Sequence, residues 1–305
     1  MRVPTLSPTA YRRVTLFALL ALTFIVVTGG AVRLTGSGLG CPDWPTCAKD
    51  RVVAPWEYHA MVEFVNRTIT GLVSVAVMLA VLGSLVRRPR RRDLLWLSIG
   101  LVGGVIGQIV LGGLTVLFEL RPGFVMAHFL VSMVLLANAV VLHHRAGRPS
   151  GPTRPAVGAD VVALGRLVVA AAGLVIFLGT IVTSSGPHGG DENAERLPFL
   201  LTDVARLHGI AVMLFLAVTL VTMAKLRRAG VDRGILQRSE VLLAVLVAQG
   251  ALGYLQYFTG VPVVLVGFHI AGATAVWVAA LRLFLAFSVP ASTPAAAAAG
   301  DSVRV

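Results

Sequence analysis

Two histidines, His128 and His269, each follow a glutamine, Gln108 and Gln249, by 20 residues, and the two pairs are separated by 141 residues throughout. The segments that carry them, GQIVLGGLTVLFELRPGFVMAHFLVSM and AQGALGYLQYFTGVPVVLVGFHIAGAT, are two copies of one pattern. A second alignment, of VEFVNRTITGLVSVAVML with the segment DVARLHGIAVMLFLAVTL, pairs Val62 with Val204 at an offset of 142 and so sets Asn66 opposite His208. The chain is therefore internally duplicated, and four equivalent positions hold Asn66, His128, His208 and His269. A neutral imidazole is a good transition-metal ligand. Two imidazoles at one depth on different helices of a bundle are what bis-histidine ligation of a haem iron requires, and His208 with His269 supply that pair in the second half. A lone histidine in an apolar helix is ordinarily an interhelical hydrogen-bonding group. Recurrence in register favours ligation, and zinc would want more nitrogen, sulfur or carboxylate donors than either half places at this depth.

Glu63 stands one helical turn before Asn66 and so on the same helix face, whereas its counterpart in the second half is Ala205. A carboxylate in one copy only points to divided labour, with one half reactive and the other holding a cofactor; the alternative is a partner for Arg67. Arg67 and Arg206 suit either haem propionates or the outer interface. Gln108 and Gln249 suit either helix-to-helix hydrogen bonds or cofactor contacts. His143 and His144 belong to a cytoplasmic helix end, and His59 and His188 to external loops or helix starts. Cys41 and Cys47 lie in one external loop, GGAVRLTGSGLGCPDWPTCAKDR, where a close pair favours a disulfide over a metal site. The CxxCH pattern of covalent haem attachment is absent.

Elements that could position these residues follow from composition. With 56% apolar and 13% charged residues in 305, and a mean hydropathy of +0.85, an ordinary soluble domain is excluded. Eight apolar runs are long enough to cross a bilayer, at residues 14–34, 60–86, 94–118, 124–144, 161–183, 203–224, 240–259 and 263–287. The formal charge of +12 concentrates before the first run and in alternate loops, such as the Arg87–Arg92 cluster. That distribution is topogenic; it puts both termini in the cytoplasm and excludes a nucleic-acid partner. The first run is longer than a secretory h-region and is expected to be retained. Four spans per copy give the halves one orientation, so the expected fold is an all-α membrane protein of eight transmembrane helices, built as two parallel four-helix-bundle repeats. The expected units are a cytoplasmic N-terminus over 1–13, an N-terminal four-helix bundle over 14–144, a cytoplasmic linker over 145–160, a C-terminal four-helix bundle over 161–287 and a disordered tail over 288–305.

The loop GGAVRLTGSGLGCPDWPTC, the segment EFVNR, the Gln-to-His spacing and the duplication together resemble the heme A synthase family over about residues 14–285. The resemblance implies a multi-pass enzyme of the bacterial plasma membrane. It would oxidise the C8 methyl of haem o, its substrate, to the formyl of haem a for terminal oxidases, by two hydroxylations and loss of water. It further implies haem b as cofactor on His208 and His269, Glu63 as the catalytic residue and Cys41 with Cys47 as the external pair. Haem o synthase is the partner it suggests, beside an electron donor of unspecified kind and the lipid bilayer. The family's two substrate-half histidines fall on Asn66 and His128. Asn66 departs from the pattern, and an amide is a poor iron ligand beside imidazole, so the substrate iron would be held by His128 alone or with water opposite. Two rival functions remain at this level: a diheme b-type electron carrier, which would want equivalent halves, and a haem transporter, which would need alternating access.

Overall fold

A computed structural model describes residues 5–48 and 51–291. Its helices are α1 (Pro8–Leu34), α2 (Tyr58–Val86), α3 (Arg92–Leu117), α4 (Pro122–Ala146), α5 (Ala159–Ser185), α6 (Leu201–Arg228), α7 (Arg233–Phe258) and α8 (Val263–Ala286). All eight are long and apolar enough to cross a membrane, because helices satisfy their own backbone groups where lipid offers no hydrogen-bonding partner. Several starts carry local signals. Ser7 accepts from Ala10 N at 3.2 Å ahead of Pro8 in the first turn of α1, Pro122 opens α4, and Asp232 accepts from Gly234 N at 2.8 Å before α7. The first helix thus begins six residues before the apolar run at 14 does, since a cap and a proline, rather than hydropathy, set its start.

Each half is a ring of four helices. In the first, α1 and α3 each pack against α2 and α4; in the second, α5 and α7 each pack against α6 and α8. The diagonal partners α2 with α4, and α6 with α8, are not among the packed pairs of the described residues. The halves join where α8 meets α1 and α4, and where α4 meets α5. Trp277 of α8 packs against the cores of both halves, and its indole N–H donates to the Met133 carbonyl of α4 at 2.9 Å.

The duplication extends to the turns. Glu119 and Leu120 between α3 and α4, and Gly260 and Val261 between α7 and α8, all have positive φ. Leu120 N donates to Thr115 O at 2.8 Å and Val261 N to Gln256 O at 2.7 Å. For Leu120 and Val261 that conformation is costly, and both are held from outside. His188 Nε2 donates to the Val261 carbonyl at 2.8 Å, while Leu120 lies over Gly38 and Gly190, whose backbones are joined from Gly38 N to Gly190 O at 2.8 Å. Arg33 Nε adds a bond to the His188 carbonyl at 2.8 Å. His188 therefore has a structural place between the halves.

On the opposite side, the linker strand β1 (Thr153–Pro155) pairs antiparallel with β2 (Ser288–Pro290), and Arg148 donates to the Ser288 carbonyl. The tail expected from 288 therefore begins as a strand; the remainder of that expectation, 292–305, lies outside the described residues.

The tightest backbone approach is at Gly40, where a Cβ would stand 2.2 Å from the His59 carbonyl oxygen, whereas one at Gly71 meets nothing within 4 Å. Gly40→Ala should therefore destabilise by about 1–3 kcal/mol, as overpacking does, and lower the thermal midpoint of the detergent-purified protein, while Gly71→Ala should not. Equal midpoints for the two variants would show that the loop does not sit on α2 in this way.

Candidate functional site

Asn66, His128, His208 and His269 lie on α2, α4, α6 and α8, six to eight residues from the first residue of each helix. At the helical rise that is a common depth of roughly 9–12 Å. The four positions thus lie at one level on the diagonal helices of each ring.

Each imidazole is seated on a glycine of the helix before its own. A Cβ at Gly112 of α3 would lie 3.5 Å from His128 Cε1, one at Gly179 of α5 would lie 3.3 Å from His208 Cε1, and one at Gly253 of α7 would lie 3.1 Å from His269 Cε1. In all three the nearest ring atoms are Cε1 and then Nδ1, so the rings share one orientation. All three Nδ1 atoms are buried without a hydrogen-bond partner, although the Val175 carbonyl is turned toward His208. Neutral imidazoles laid into cradles that any side chain would fill, at matched depth on diagonal helices, fit an iron porphyrin held between them. Gln108 and Gln249 support the same residues through the backbone. Their Nε2 atoms donate to the carbonyls of His128 at 3.0 Å and His269 at 2.7 Å, and Gln108 also reaches Ser132 Oγ at 2.6 Å. This is the helix-to-helix alternative of the two open to them, applied at the histidines themselves.

The halves differ above this layer. Glu63 is buried; its Oε2 accepts from Cys41 N at 2.8 Å, and its Oε1 accepts from Arg67 Nε at 3.1 Å and Nη2 at 2.6 Å. Arg67 donates further to the carbonyls of Asp43 at 3.1 Å, Thr46 at 3.0 Å and Cys41 at 3.0 Å. A guanidinium has five N–H groups, and these five bonds engage them all, leaving none for a further partner in this arrangement. Glu63 and Arg67 together fasten the loop closed by the Cys41–Cys47 disulfide. Within it Trp44 lies on Gly113 of α3, where a Cβ would stand 2.8 Å from the indole ring, next to the Gly112 that cradles His128. The aligned positions Ala205 and Gly209 in the second half can do none of this.

Other sequence candidates are placed apart. Arg206 is exposed. His59 Nδ1 pairs with Ser37 Oγ at 3.0 Å, and His143 Nδ1 with Thr15 Oγ1 at 3.1 Å. Gly112, Gly179, Gly253 and Trp44 are site residues that the sequence did not single out. The glycine signal was present, since Gly112 and Gly253 precede their histidines by the same 16 residues.

Residues 12–187 match the family model described as cytochrome oxidase assembly protein, COX15-CtaA. A protein of Symbiobacterium thermophilum named heme A synthase is 31% identical over 279 residues, 82% of this chain and 88% of that protein. One of Halalkalibacterium halodurans with the same name is 26% identical over 81% of this chain and 85% of its own length. A third, of Geobacillus kaustophilus and again so named, is 32% identical over 41% of this chain, an alignment spanning only 39% of that relative. With its duplicated bundles, its histidines in register and these matches, the chain belongs to the COX15-CtaA family of cytochrome oxidase assembly proteins.

Proposed function

We propose that this protein is a heme A synthase that oxidises the C8 methyl of haem o to the formyl group of haem a, the form used in terminal oxidase assembly. The observation that carries the reading is the asymmetry of two otherwise matched halves. The second holds a complete imidazole pair and, at the position aligned with Glu63, an alanine; the first holds one imidazole at this depth, Glu63 and a fastened loop. A diheme carrier would need equivalent halves, so that alternative is not favoured.

In this reading His208 and His269 bind haem b, which supplies one-electron transfer when bound. Gly179 and Gly253 orient the two imidazoles edge-on, and Gln249 holds the backbone of His269. In the first half His128, supported by Gln108, binds the iron of haem o. Glu63 contributes charge stabilisation or proton transfer beside it, and three donors fix its carboxylate in place. Arg67 is a positioning residue that acts through Glu63 and the loop. Trp44 covers the Gly112–Gly113 side of the cavity and limits access of water. The distribution of arginines puts both termini in the cytoplasm and this chemistry near the outer face of the plasma membrane. Haem o synthase is the source of substrate that the reading requires.

Expression with a haem o source, followed by pigment extraction and mass analysis, should yield haem a. Recovery of unaltered haem o, with equivalent low-spin haem in both halves, would sink the proposal in favour of the electron carrier.

His208→Ala and His269→Ala should each abolish the six-coordinate low-spin haem b spectrum. Retention of that spectrum unchanged in both would refute the ligand assignment.

Glu63→Gln keeps the size of the side chain, removes the charge and turns one of its two accepting oxygens into a donor. Haem b should remain bound while haem a formation collapses. Normal product yield would show that the charge is not needed; loss of haem b together with a lowered thermal midpoint would show that Glu63 serves the fold instead.

A further inference from the structure

Three of the four diagonal positions pair an imidazole with a glycine, and the fourth keeps the glycine without the imidazole. The segment TGGAVRLTGSGLG of α1 aligns with LGTIVTSSGPHGG of α5, which sets Gly29 opposite Gly179. Depth agrees. Gly36 meets His59 across α1 and α2, and seven residues inward along each antiparallel helix lie Gly29 and Asn66. The Cβ that would press on an imidazole at Gly112, Gly179 or Gly253 meets no atom within 4 Å at Gly29. The shorter amide does not fill the notch that a histidine fills elsewhere, and Asn66 Oδ1 is buried with no hydrogen-bond partner.

We propose that Asn66 and Gly29 form a pocket for a small uncharged ligand on the side of the first-half site opposite His128, so that His128 is the one side chain that would hold the iron of a haem bound there. The inference rests on the first half being the substrate site. Three observations support it: the retained notch, the orphaned amide oxygen, and the absence of another imidazole at that depth, since His59 is tied to Ser37 a full seven residues away. An amide beside an open iron position offers a hydrogen-bond donor to a bound ligand without competing for the metal, and polarity and steric access on that side decide what a haem can bind. The second half, closed by His208 and His269, is excluded from such binding.

The test uses the full chain carrying haem b and haem o, reduced and exposed to carbon monoxide, with pigment content measured alongside absorption spectra. Wild type should show a carbon-monoxide-binding haem o beside a low-spin haem b that does not react. Asn66→Ala should leave the position open but shift the stretching frequency of the bound carbon monoxide, because the amide donor is gone, and an unshifted frequency would remove Asn66 from the pocket; Asn66→His should abolish binding while converting haem o to a low-spin spectrum, because Gly29 leaves room for the ring. Bound haem o that is low-spin and unreactive in wild type would overturn the open position while leaving the substrate site intact. Failure of wild type to retain haem o in a manner sensitive to His128→Ala would overturn the substrate reading, and this inference with it.

Discussion

Each of the three intramembrane imidazoles lies against a glycine of the helix before its own, and the rest of the site is arranged around that contact. A Cβ at Gly179 or Gly253 would crowd the ring at 3.3 Å and 3.1 Å, and one at Gly112 would make an ordinary contact at 3.5 Å. In lipid, small residues also let helices approach closely without a hydrophobic driving force, so the same glycines serve packing and ring orientation together. The glutamines then fix the histidine backbones against the helix that carries each glycine. Depth, orientation and helix spacing are thus set by the same few contacts, repeated by duplication.

Upon that repeated frame the first half adds a charged assembly that the second lacks. A carboxylate and a guanidinium at the edge of a bilayer are costly unless they satisfy each other and their neighbours, and breaking such a pair costs on the order of 3 kcal/mol. Here the pair is satisfied by the loop backbone, so the loop owes its position to Glu63 and Arg67 as much as to its disulfide. A change at Glu63 therefore acts on the seating of the loop. Trp44 transmits the loop's position to α3 beside the His128 cradle.

Much of this was legible in the sequence because hydropathy and repetition report position along a helix. The eight spans, the duplication, the matched depth of the four diagonal positions and the one-sided Glu63 all depend on that coordinate alone. What the sequence concealed depends on direction around the helix and on partners distant in the chain. Arg67 suited a propionate, the outer interface or Glu63, and nothing in EFVNR tells that the loop carbonyls will take the rest of its donors. The contact of Gly112 with His128 joins two helices and leaves no periodicity of its own. His188 belonged to an external loop, and its bond to the Val261 carbonyl 73 residues away is not written in that loop. The start of α1 was missed for a different reason, since Ser7 and Pro8 define it by capping geometry rather than by hydropathy.

The short ribbon of β1 and β2 has a bearing on how the second half is closed. Thr153–Pro155 lie just before α5 and Ser288–Pro290 just after α8, so their pairing joins the two ends of the second half to each other. That half is a ring in its chain path as well as in its packing, closed by backbone hydrogen bonds. The first half has no such clasp among the described residues: Leu6 bridges to Arg87, which ties the start of α1 only to the end of α2. Arg148 donates to the Ser288 carbonyl, so the link between the halves is anchored to the end of the second, and a strain on that link is borne by the ribbon rather than by the helices that carry the histidines.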